Sequence, residues 1–437
     1  MAKSFSGLHS SDLSGVVKVP GDKSISHRAI IFGALATGET EITGLLEAED
    51  VISTTKAVSA LGANVKHLGP GHWLVSGLGI GGMTAPTAPL DFGNSGTAAR
   101  LMMGVIAGHN FEAKFIGDES LSRRPMARVL EPLNLMGLNW HEEFDHLPLT
   151  LIGAERLMPI SYNLPVPSAQ VKSAILIAGL FAPGITEVIE EEATRDHTER
   201  MLSYFGAKLT ITPNESGRTI AIEGDAELKG APVAVPGDPS SAAFLTAAAL
   251  LCPGSDITIQ SILINPTRTG FYTTLQEMGA DITFENERME SGEPIADIRV
   301  KASKLTGVDV PAERAPSMID EYPMLSCLAA FATGETRMRG LNELRVKESD
   351  RLKATADGLK AVSVPARIEG DDLIVTGSDT VAGGGYVKTH LDHRIAMSFL
   401  ILSLASKEPV VVDDISMIKT SFTGFVELME SLGARFK

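Results

Sequence analysis

The chain has 437 residues, a 44% apolar share and a formal net charge of −16 at pH 7. This acidic balance argues against a general nucleic-acid surface, and no apolar run reaches the roughly 20 residues that a membrane helix needs. The amino terminus lacks the long apolar core of a secretion signal, and Cys252 and Cys327 lie in Ala/Leu-rich stretches typical of buried free thiols. We therefore expect a cytoplasmic protein without membrane or nucleic-acid partners.

One pattern recurs about six times along the chain. Each copy combines a short apolar strand, a Gly/Ser/Asp corner, an Ala/Leu-rich helix, a second strand, a polar loop and a helix that ends near a glycine. A looser copy ends near Leu359, and the clearest closing marks are Leu61-Gly62-Ala63, Met136-Gly137-Leu138, Phe205-Gly206-Ala207, Met278-Gly279-Ala280 and Leu432-Gly433-Ala434. A period of roughly 70 residues indicates α/β units that bury one another's apolar faces.

Two of the openings match each other best. They read Val19-Pro20-Gly21-Asp22 and Val235-Pro236-Gly237-Asp238, and they lie about half a chain apart. Both are typical of an extended segment that turns into a helix start. Because chains of this length usually divide into domains, we infer two lobes of three units each, with a ligand site expected in the cleft between them.

The first helix start reads PGDKSISHRAIIFGALATGE. Ser24 is the expected N-cap, Lys23 lies just ahead of the helix, and Arg28 follows four residues later near the same face. The free amides of the first turn can face an anion. A capped helix with two solvated charges is the alternative for this segment.

The second helix start reads DFGNSGTAARLMMGVIAG. Asn94 and Ser95 can cap this helix, and Gly96 leaves its amides open to a small phosphate or carboxylate. Later in the same unit, Pro125 fits the first turn of a helix and fixes Arg124 just outside it. An arginine held in this way is well placed to bind a carboxylate through two hydrogen bonds.

The third helix start reads VPSAQVKSAILIAGLFAPG, with Ser168 as the cap and Gln170 as a neutral donor and acceptor in the first turn. The second half of this unit contains Arg195, which we interpret as a phosphate ligand. An exposed ion-pair set of Arg195, Asp196 and Glu199 is the alternative.

The fourth and fifth helix starts differ in charge. The fourth, VPGDPSSAAFLTAAALLCPG, carries no cation and indicates a copy that serves as architecture alone. In the fifth, Pro323 must lie in the first helical turn and therefore places Asp320 at or beside the cap. Helix-end amides stabilise a carboxylate there in its charged form. A plain Asp N-cap is the alternative.

Two further segments add cations. In LRVKESDRL, Lys347, Glu348 and Arg351 fall within the spacing of one helical turn, and a surface network is the ordinary alternative. In LDHRIAMSFLILSLAS, Arg394 begins a helix that has no polar face. The start of such a helix is expected in a core, where the charge of Arg394 needs a partner such as a ligand anion.

Taken together, these motifs resemble those of the 5-enolpyruvylshikimate-3-phosphate synthase family, in its second bacterial class. The matching segments follow the family's order across nearly the whole chain: PGDKSISHR, NSGTAAR, Arg124-Pro125, VPSAQVKSA, DEYP, LRVKESDRL and LDHRIAMS. The resemblance implies two lobes, each of three βαβαββ units, in the inside-out barrel architecture of enolpyruvyl transferases. It implies one lobe of residues 1–20 plus 237–437, a second lobe of residues 21–236, and an active site between them.

The resemblance also implies a reaction, the transfer of the enolpyruvyl group of phosphoenolpyruvate to the 5-hydroxyl of shikimate 3-phosphate, with release of phosphate, on the route to chorismate. Asp320 would accept the hydroxyl proton, Glu348 would exchange a proton with the methylene carbon, and Lys23 would assist at the leaving oxygen. The implied shikimate 3-phosphate ligands are Lys23, Ser24, Arg28, Ser168, Ala169 through its backbone, Gln170, Arg195, Asp320 and Lys347. The implied phosphoenolpyruvate ligands are Lys23, Asn94, Gly96, Arg124, Gln170, Arg351 and Arg394. No metal or organic cofactor is needed, and a monomer is expected.

Two positions differ from other family members. Many members carry a lysine just before a Thr-Phe-Pro near the carboxy terminus; aligned on Phe422, that position is Thr420, so Lys419 is assigned no role. Some second-class members have alanine where this chain has Gly96. The missing methyl leaves room for glyphosate, an inhibitor that resembles bound phosphoenolpyruvate, and we expect measurable competition by it.

Two rival functions remain open. One is the enolpyruvyl transferase that acts on a UDP-sugar; it usually has a reactive cysteine on a mobile loop, and this chain has none there. The other is a catalytically inactive anion-binding protein. The presence of both Asp320 and Glu348 argues against it, because two carboxylates would repel phosphates unless they transferred protons.

Overall fold

The computed structural model describes residues 4–215, 217–225 and 227–437, so the first three residues of the expected first lobe lie outside it. Its α-helices are α1 (Lys23–Leu35), α2 (Glu49–Ala60), α3 (Gly96–Ala107), α4 (Glu119–Ser122), α5 (Ala127–Met136), α6 (Ala169–Gly179), α7 (His197–Tyr204), α8 (Pro239–Leu251), α9 (Gly270–Glu277), α10 (Ala315–Met318), α11 (Tyr322–Ala329), α12 (Arg351–Ala361), α13 (His393–Ala405) and α14 (Phe425–Ser431).

Its strands are β1 (Phe5–Leu8), β2 (Ser14–Val17), β3 (Thr37–Thr43), β4 (Asn64–Gly69), β5 (His72–Leu78), β6 (Leu90–Asp91), β7 (Glu112–Ile116), β8 (Asn139–Trp140), β9 (Leu149–Ile152), β10 (Ser161–Asn163), β11 (Ile185–Glu190), β12 (Leu209–Asn214), β13 (Gly217–Glu223), β14 (Val233–Ala234), β15 (Asp256–Leu263), β16 (Asp281–Glu290), β17 (Glu293–Lys301), β18 (Asp309–Val310), β19 (Glu335–Met338), β20 (Ala366–Glu369), β21 (Asp372–Thr376), β22 (Tyr386–Val387), β23 (Val411–Val412) and β24 (Arg435–Phe436).

The chain divides into two compact units. The first unit comprises Met1–Pro20, Pro236–Arg288 and Pro294–Lys437; the second comprises Gly21–Val235 and Met289–Glu293. The short stretch Met289–Glu293, where β16 turns into β17, counts with the second unit, and no sequence signal indicated this. One reason is that Glu293 Oε1 lies 2.8 Å from His197 Nδ1.

Each unit contains three four-stranded sheets built on one pattern. Written from the parallel edge, the strand orders of the second unit are β14-β3-β5-β4, β6-β7-β9-β8 and β10-β11-β13-β12, and those of the first unit are β2-β15-β17-β16, β18-β19-β21-β20 and β22-β23-β1-β24. The leading pair of every sheet is parallel. Each sheet with its helices makes one βαβαββ repeat. A crossover helix joins the parallel pair in four sheets, whereas β3 pairs with β14 and β15 pairs with β2 from distant parts of the chain.

Three helices form the centre of each unit. They are α1, α3 and α6 in the second unit and α8, α11 and α13 in the first, and they are buried on nearly every face. Their Ala/Leu-rich sequences suit such all-round burial. The packing is close: a methyl group added at Gly104 of α3 would lie 2.4 Å from the Ala174 carbonyl oxygen of α6. Within the described chain, no helix combines the length and apolarity needed to span a membrane.

The repeat-closing glycines end helices as their spacing predicts. Each has the positive φ that glycine adopts without strain after a helix: Gly62, Gly137, Gly206, Gly279 and Gly433. The looser copy, expected to end near Leu359, continues through α12 to Ala361. Ser363 there takes a φ of 62° in place of a glycine.

Candidate active site

The start of α1, in the second unit, contains the first predicted site residues. Asp22 is its N-cap, because the Asp22 carboxylate accepts a 2.8 Å hydrogen bond from the Ile25 amide. The prediction that Ser24 caps this helix is therefore wrong, and Ser24 lies in the first helical turn. Lys23, expected just ahead of the helix, is its first residue. The Lys23 ammonium lies 2.5 Å from Asp50 Oδ2, so an acid on α2 holds it in place.

Arg28 is buried in the second unit, with 3% of its surface exposed. Its guanidinium donates to Thr198 Oγ1 at 2.8 Å, to Ser173 Oγ at 2.9 Å and to the Ser24 carbonyl at 3.0 Å. Burial lowers the pKa of Arg28 to about 10, and the nearby positive charge of Arg195 contributes to the shift. The group stays protonated at neutral pH, so it is a fixed buried cation and the alternative of a solvated charge fails for it.

The start of α3 is capped by Ser95, whose Oγ accepts a hydrogen bond from a first-turn amide. The next residue, Gly96, lies against two guanidinium groups. A methyl group added at Gly96 would lie 2.8 Å from Arg100 Nη1 and 3.3 Å from Arg124 Nη1. The absent side chain therefore leaves space where two cations meet a helix start, as an anion site requires.

Arg124 lies beside this helix start. Its Nη2 donates to Asn94 Oδ1 at 2.8 Å and to Ser120 Oγ at 3.3 Å. α5 begins only at Ala127, so the prediction that Pro125 lies in the first helical turn is wrong. Arg124 still precedes the helix, and its position is set by Asn94 and Ser120.

The start of α6 contains Gln170, whose side-chain amide is held by two hydrogen bonds. Ser168 caps this helix as predicted, and Ala169 is its first residue. Arg100 Nη1 donates to Gln170 Oε1 at 3.0 Å, and Gln170 Nε2 donates to Thr97 Oγ1 at 3.0 Å. Because a guanidinium can only donate, the Arg100 contact fixes the orientation of the Gln170 amide, and the hydroxyl of Thr97 accepts from its other end.

Arg195 precedes α7 and is half-buried. The alternative of an exposed ion-pair set with Asp196 and Glu199 is wrong, because both acids are buried. Asp196 accepts from Arg200 Nε at 2.8 Å, and Glu199 Oε1 lies 2.6 Å from the fully buried Lys172 ammonium. Burial raises the pKa of Glu199, although Lys172 opposes the shift.

In the first unit, one buried arginine, Arg351, contacts three carboxylates. Arg351 contacts Asp392 Oδ2 through Nε at 2.8 Å, Asp320 Oδ1 through Nη1 at 3.2 Å and Glu348 Oε2 through Nη2 at 2.5 Å. Lys347 Nζ lies 3.6 Å from Asp320 Oδ1. Burial alone would lower the pKa of Arg351, but the three carboxylates raise it overall. The predicted acids therefore share a permanent cation.

The local structure around these acids differs in one respect from the prediction. Pro323 lies in the first turn of α11, whose N-cap is Glu321, so Asp320 lies beside the cap as predicted. α12 begins at Arg351, and Glu348 lies before it. The prediction that Lys347, Glu348 and Arg351 share one helical turn is wrong, although the pair of Glu348 and Arg351 forms.

Arg394 lies in the first turn of α13 and reaches the start of α11. Its Nη1 donates to the Asp320 carbonyl at 3.2 Å and lies 3.8 Å from Glu321 Oε1. Its amide donates to Asp392 Oδ1 at 3.0 Å. Burial lowers the pKa of the adjacent His393 to about 4, with Arg394 contributing, so this histidine is neutral. Asp392 thus contacts two of the three arginines predicted to bind phosphoenolpyruvate, Arg351 and Arg394.

The fourth helix start also contains a charge that the prediction missed. Arg268 Nη2 lies 3.2 Å from the Oδ1 of Asp238, the N-cap of α8. The local sequence of this start carries no cation, but a residue some thirty positions later supplies one. This internal ion pair does not test the interpretation of the copy as architecture without a ligand, which stays a prediction.

Several residues in these clusters were not among the predicted site residues. They contact predicted residues from distant parts of the chain: Asp50, Thr97, Arg100, Thr198, Glu321 and Asp392. Four of them stood inside quoted motifs without an assigned role: Thr97 and Arg100 in NSGTAAR, Glu321 in DEYP and Asp392 in LDHRIAMS. Among the residues that the structure describes, no three histidine, cysteine or acidic side chains cluster as a metal ion would require.

Neither thiol suits nucleophilic chemistry. Cys252 ends α8 and Cys327 lies within α11, and both are free and buried, as predicted. Burial raises the pKa of Cys252 to about 12 and that of Cys327 further, so neither is a thiolate at neutral pH.

Comparison with known proteins gives the family. The model of the family described as EPSP synthase (3-phosphoshikimate 1-carboxyvinyltransferase) matches residues 9–429. The chain belongs to the EPSP synthase family. The family expectation drawn from the sequence motifs is therefore confirmed.

Relatives and solved structures in the EPSP synthase family cover the whole chain. A 3-phosphoshikimate 1-carboxyvinyltransferase of Parvibaculum lavamentivorans is 59% identical over 438 residues, which cover 100% of this chain and 97% of the relative. A 3-phosphoshikimate 1-carboxyvinyltransferase of Rhodopseudomonas palustris is 59% identical over 427 residues, which cover 97% of this chain and 96% of the relative. A solved EPSP synthase of Acinetobacter baumannii has a TM-score of 0.90 at 42% identity, with 99% of each chain covered. This match confirms the predicted fold class.

Proposed function

We propose that the chain transfers the enolpyruvyl group of phosphoenolpyruvate to the 5-hydroxyl of shikimate 3-phosphate, releasing phosphate, in aromatic amino acid biosynthesis. Membership of the EPSP synthase family over residues 9–429 supports this reaction. The observation that carries it most directly is the cluster of Asp320, Glu348 and Arg351 in the first unit. Two acids that share one buried guanidinium can exchange protons beside an anionic substrate.

Shikimate 3-phosphate binding needs fixed cations for its phosphate and polar groups for its ring. In the second unit, Arg28 is buried and oriented, and Arg195 lies near it. Buried guanidinium groups bind phosphate strongly because little water competes. The remaining proposed ligands are Lys23, Ser24, Ser168, the Ala169 backbone and Gln170 from this unit, and Asp320 and Lys347 from the first.

Phosphoenolpyruvate binding needs several cations for one small dianion. The second unit offers Arg124 beside Asn94 and the open space at Gly96. The first unit offers Arg351 and Arg394, both tied to Asp392. Lys23 and Gln170 complete the proposed set. We propose that both units serve one pair of substrates and that the cations screen their combined negative charge.

Asp320 and Glu348 carry out the proposed proton transfers. Asp320 takes the proton of the 5-hydroxyl as its oxygen bonds to the central carbon of phosphoenolpyruvate, and Glu348 gives a proton to the methylene carbon. In the second step the carbon–oxygen bond to phosphate breaks with assistance from Lys23 at the leaving oxygen, and Glu348 takes a proton back from the methyl group. The hydroxyl proton held by Asp320 leaves with the released phosphate. Positioning and charge stabilisation supply most of the rate.

Two broader expectations stay predictions. The buried thiols Cys252 and Cys327 favour a reducing compartment, which supports a cytoplasmic location. A monomer that needs no metal or organic cofactor is also expected.

Phosphate release on mixing the two substrates tests the proposed function. The parent chain is expected to release phosphate only when both substrates are present. Asp320→Asn and Glu348→Gln should each lower kcat by about a hundredfold or more, the usual worth of a general acid or base. Glu343→Gln, which changes an exposed acid of the same segment, is the control and should keep full activity.

A parent chain that releases no phosphate, or two carboxamide variants as fast as the parent, would refute the proposal. Transfer to a UDP-sugar acceptor in place of shikimate 3-phosphate would support the rival transferase instead.

A further inference from the structure

A buried cluster of polar residues lies at the starts of α8 and α11, in the first unit. It consists of Asp238, Ser240, Arg268 and Glu321, and Arg268 and Glu321 are each only 3% exposed. None of these four residues is among the predicted substrate ligands. Charged side chains are rarely buried to this degree without a structural or functional reason.

The contacts in this cluster form a directed chain. Arg268 Nη2 donates to Ser240 Oγ at 3.1 Å and to Asp238 Oδ1 at 3.2 Å. Ser240 Oγ donates to Glu321 Oε1. A guanidinium can only donate and a carboxylate can only accept, so the single hydroxyl proton of Ser240 must point at Glu321. Arg268 therefore sets the direction of the bond that Glu321 receives.

The chain ends at a predicted substrate ligand. Glu321 Oε1 lies 3.8 Å from Arg394 Nη1, and the same Nη1 donates to the carbonyl of Asp320 at 3.2 Å. Arg394 thus rests on two consecutive residues at the start of α11. Along the cluster, the charges of Asp238, Arg268, Glu321 and Arg394 alternate in sign.

Because the charges alternate, each member of the cluster depends on its neighbours. Loss of one member leaves a buried charge next to one of like sign or without its opposite neighbour, which is costly where little water is present. Without Arg268, the carboxylates of Asp238 and Glu321 would lose the buried cation that lies between them. Without the Glu321 charge, Arg394 would lose the contact that limits its orientation.

We propose that Glu321 is a positioning residue that orients Arg394 for the carboxylate or phosphate of phosphoenolpyruvate, and that Arg268 orients Glu321 through Ser240. This inference rests on the proposed function, in which Arg394 binds phosphoenolpyruvate. It gives the fourth repeat a role in the site, although its own sequence carries no cation at the helix start.

Steady-state kinetics of Glu321→Gln test the proposal. The variant keeps the size of the side chain and removes its charge. The KM for phosphoenolpyruvate is expected to rise about tenfold, while the KM for shikimate 3-phosphate changes less than about twofold. Glu427→Gln changes an exposed glutamate in the first turn of α14 and should match the parent. Ser240→Ala, which removes only a hydroxyl, should raise the same KM about threefold and serves if Glu321→Gln does not fold.

A double variant tests whether the residues act together. Arg268→Met should also raise the KM for phosphoenolpyruvate, and Arg268→Met with Glu321→Gln should cost less than the product of the two single effects. Arg299→Gln, which breaks an exposed arginine pair with Asp256 in the same unit, is the control.

Three results would overturn the proposal: an unchanged or lower KM for phosphoenolpyruvate, an equal rise in both KM values, or single effects that multiply fully. Activity of the parent chain tests the proposed function separately, so a positive parent with unaffected variants removes only this inference.

Discussion

At the scale of single residues, the site depends on guanidinium groups that other side chains hold still. Arg28 is fixed by Thr198 and Ser173, and Arg351 by Asp392. An arginine held by protein acceptors loses little rotamer freedom when a ligand arrives, so more of its binding energy remains available. Arg124, held by Asn94, follows the same principle in the second unit.

Gly96→Ala is expected to weaken inhibition by glyphosate selectively. The added methyl group would lie 2.8 Å from Arg100 Nη1 and 3.3 Å from Arg124 Nη1, so both side chains must give way. We expect the inhibition constant to rise about tenfold or more, in line with a steric cost of about 1–3 kcal/mol. The KM for phosphoenolpyruvate should rise less, because its chain is one atom shorter than that of glyphosate.

Competition kinetics with phosphoenolpyruvate as the varied substrate measure both constants. Gly69→Ala is the matched control, because a methyl group there meets open space. An inhibition constant equal to that of the parent in Gly96→Ala would show that the space beside Arg100 does not limit the inhibitor.

At the scale of elements, one helix of each unit carries a neutral histidine directly before an arginine: His27 before Arg28 in α1, and His393 before Arg394 in α13. His27 lies in α1 and its Nδ1 is 2.7 Å from Thr54 Oγ1; His393 is the first residue of α13. Burial lowers the pKa of His27 to about 3, and the charges of Lys23 and Arg28 contribute. The helix starts therefore keep their cations without a further positive charge at the histidine.

His27 predicts a loss of stability in acid. Its folded pKa of about 3 lies below the ordinary value of 6.5, so below pH 6.5 the unfolded chain binds a proton that the folded chain does not. The stability that this group contributes is complete above pH 6.5 and falls as the pH drops toward 3, by at most about 1.4 kcal/mol per pH unit. Urea unfolding of His27→Gln between pH 5 and 7 should show a shallower decline than the parent.

The exposed His141→Gln is the control for this experiment and should follow the parent curve. A parental slope in His27→Gln would mean that another group carries the acid sensitivity.

Local sequence was sufficient for features that one segment determines. Ser95 and Ser168 cap their helices as predicted, and Gly62 and Gly433 close theirs. These features depend on the backbone of a few adjacent residues. Where two capping side chains competed within one turn, as at Ser24, the sequence pattern selected the wrong one.

Contacts between distant segments could not be predicted from local sequence. Lys23 pairs with Asp50, and Asp238 with Arg268, across about thirty positions, and Arg100 reaches Gln170 across about seventy. Which side chains meet depends on how the repeats pack, and the local pattern contains no distance information of that kind. Helix caps and closing glycines were accordingly easier to predict than the partners of charged side chains.

At the scale of the whole molecule, six copies of one βαβαββ repeat form a framework, and the proposed ligands lie at or near its helix starts. In each unit, central helices bring residues from separate repeats into contact, as Gln170 meets Thr97 and Arg394 meets the carbonyl of Asp320. The proposed reaction needs residues of both units, because the proposed phosphoenolpyruvate ligands are divided between them.

The most direct test is the KM for phosphoenolpyruvate at saturating shikimate 3-phosphate in two variants, Arg124→Gln of the second unit and Arg394→Gln of the first. Each should raise this KM about tenfold or more, because each removes a charged hydrogen bond to the same substrate, while Arg299→Gln should leave it unchanged. If either site variant kept the parental KM, phosphoenolpyruvate would not depend on both units and the account would be contradicted.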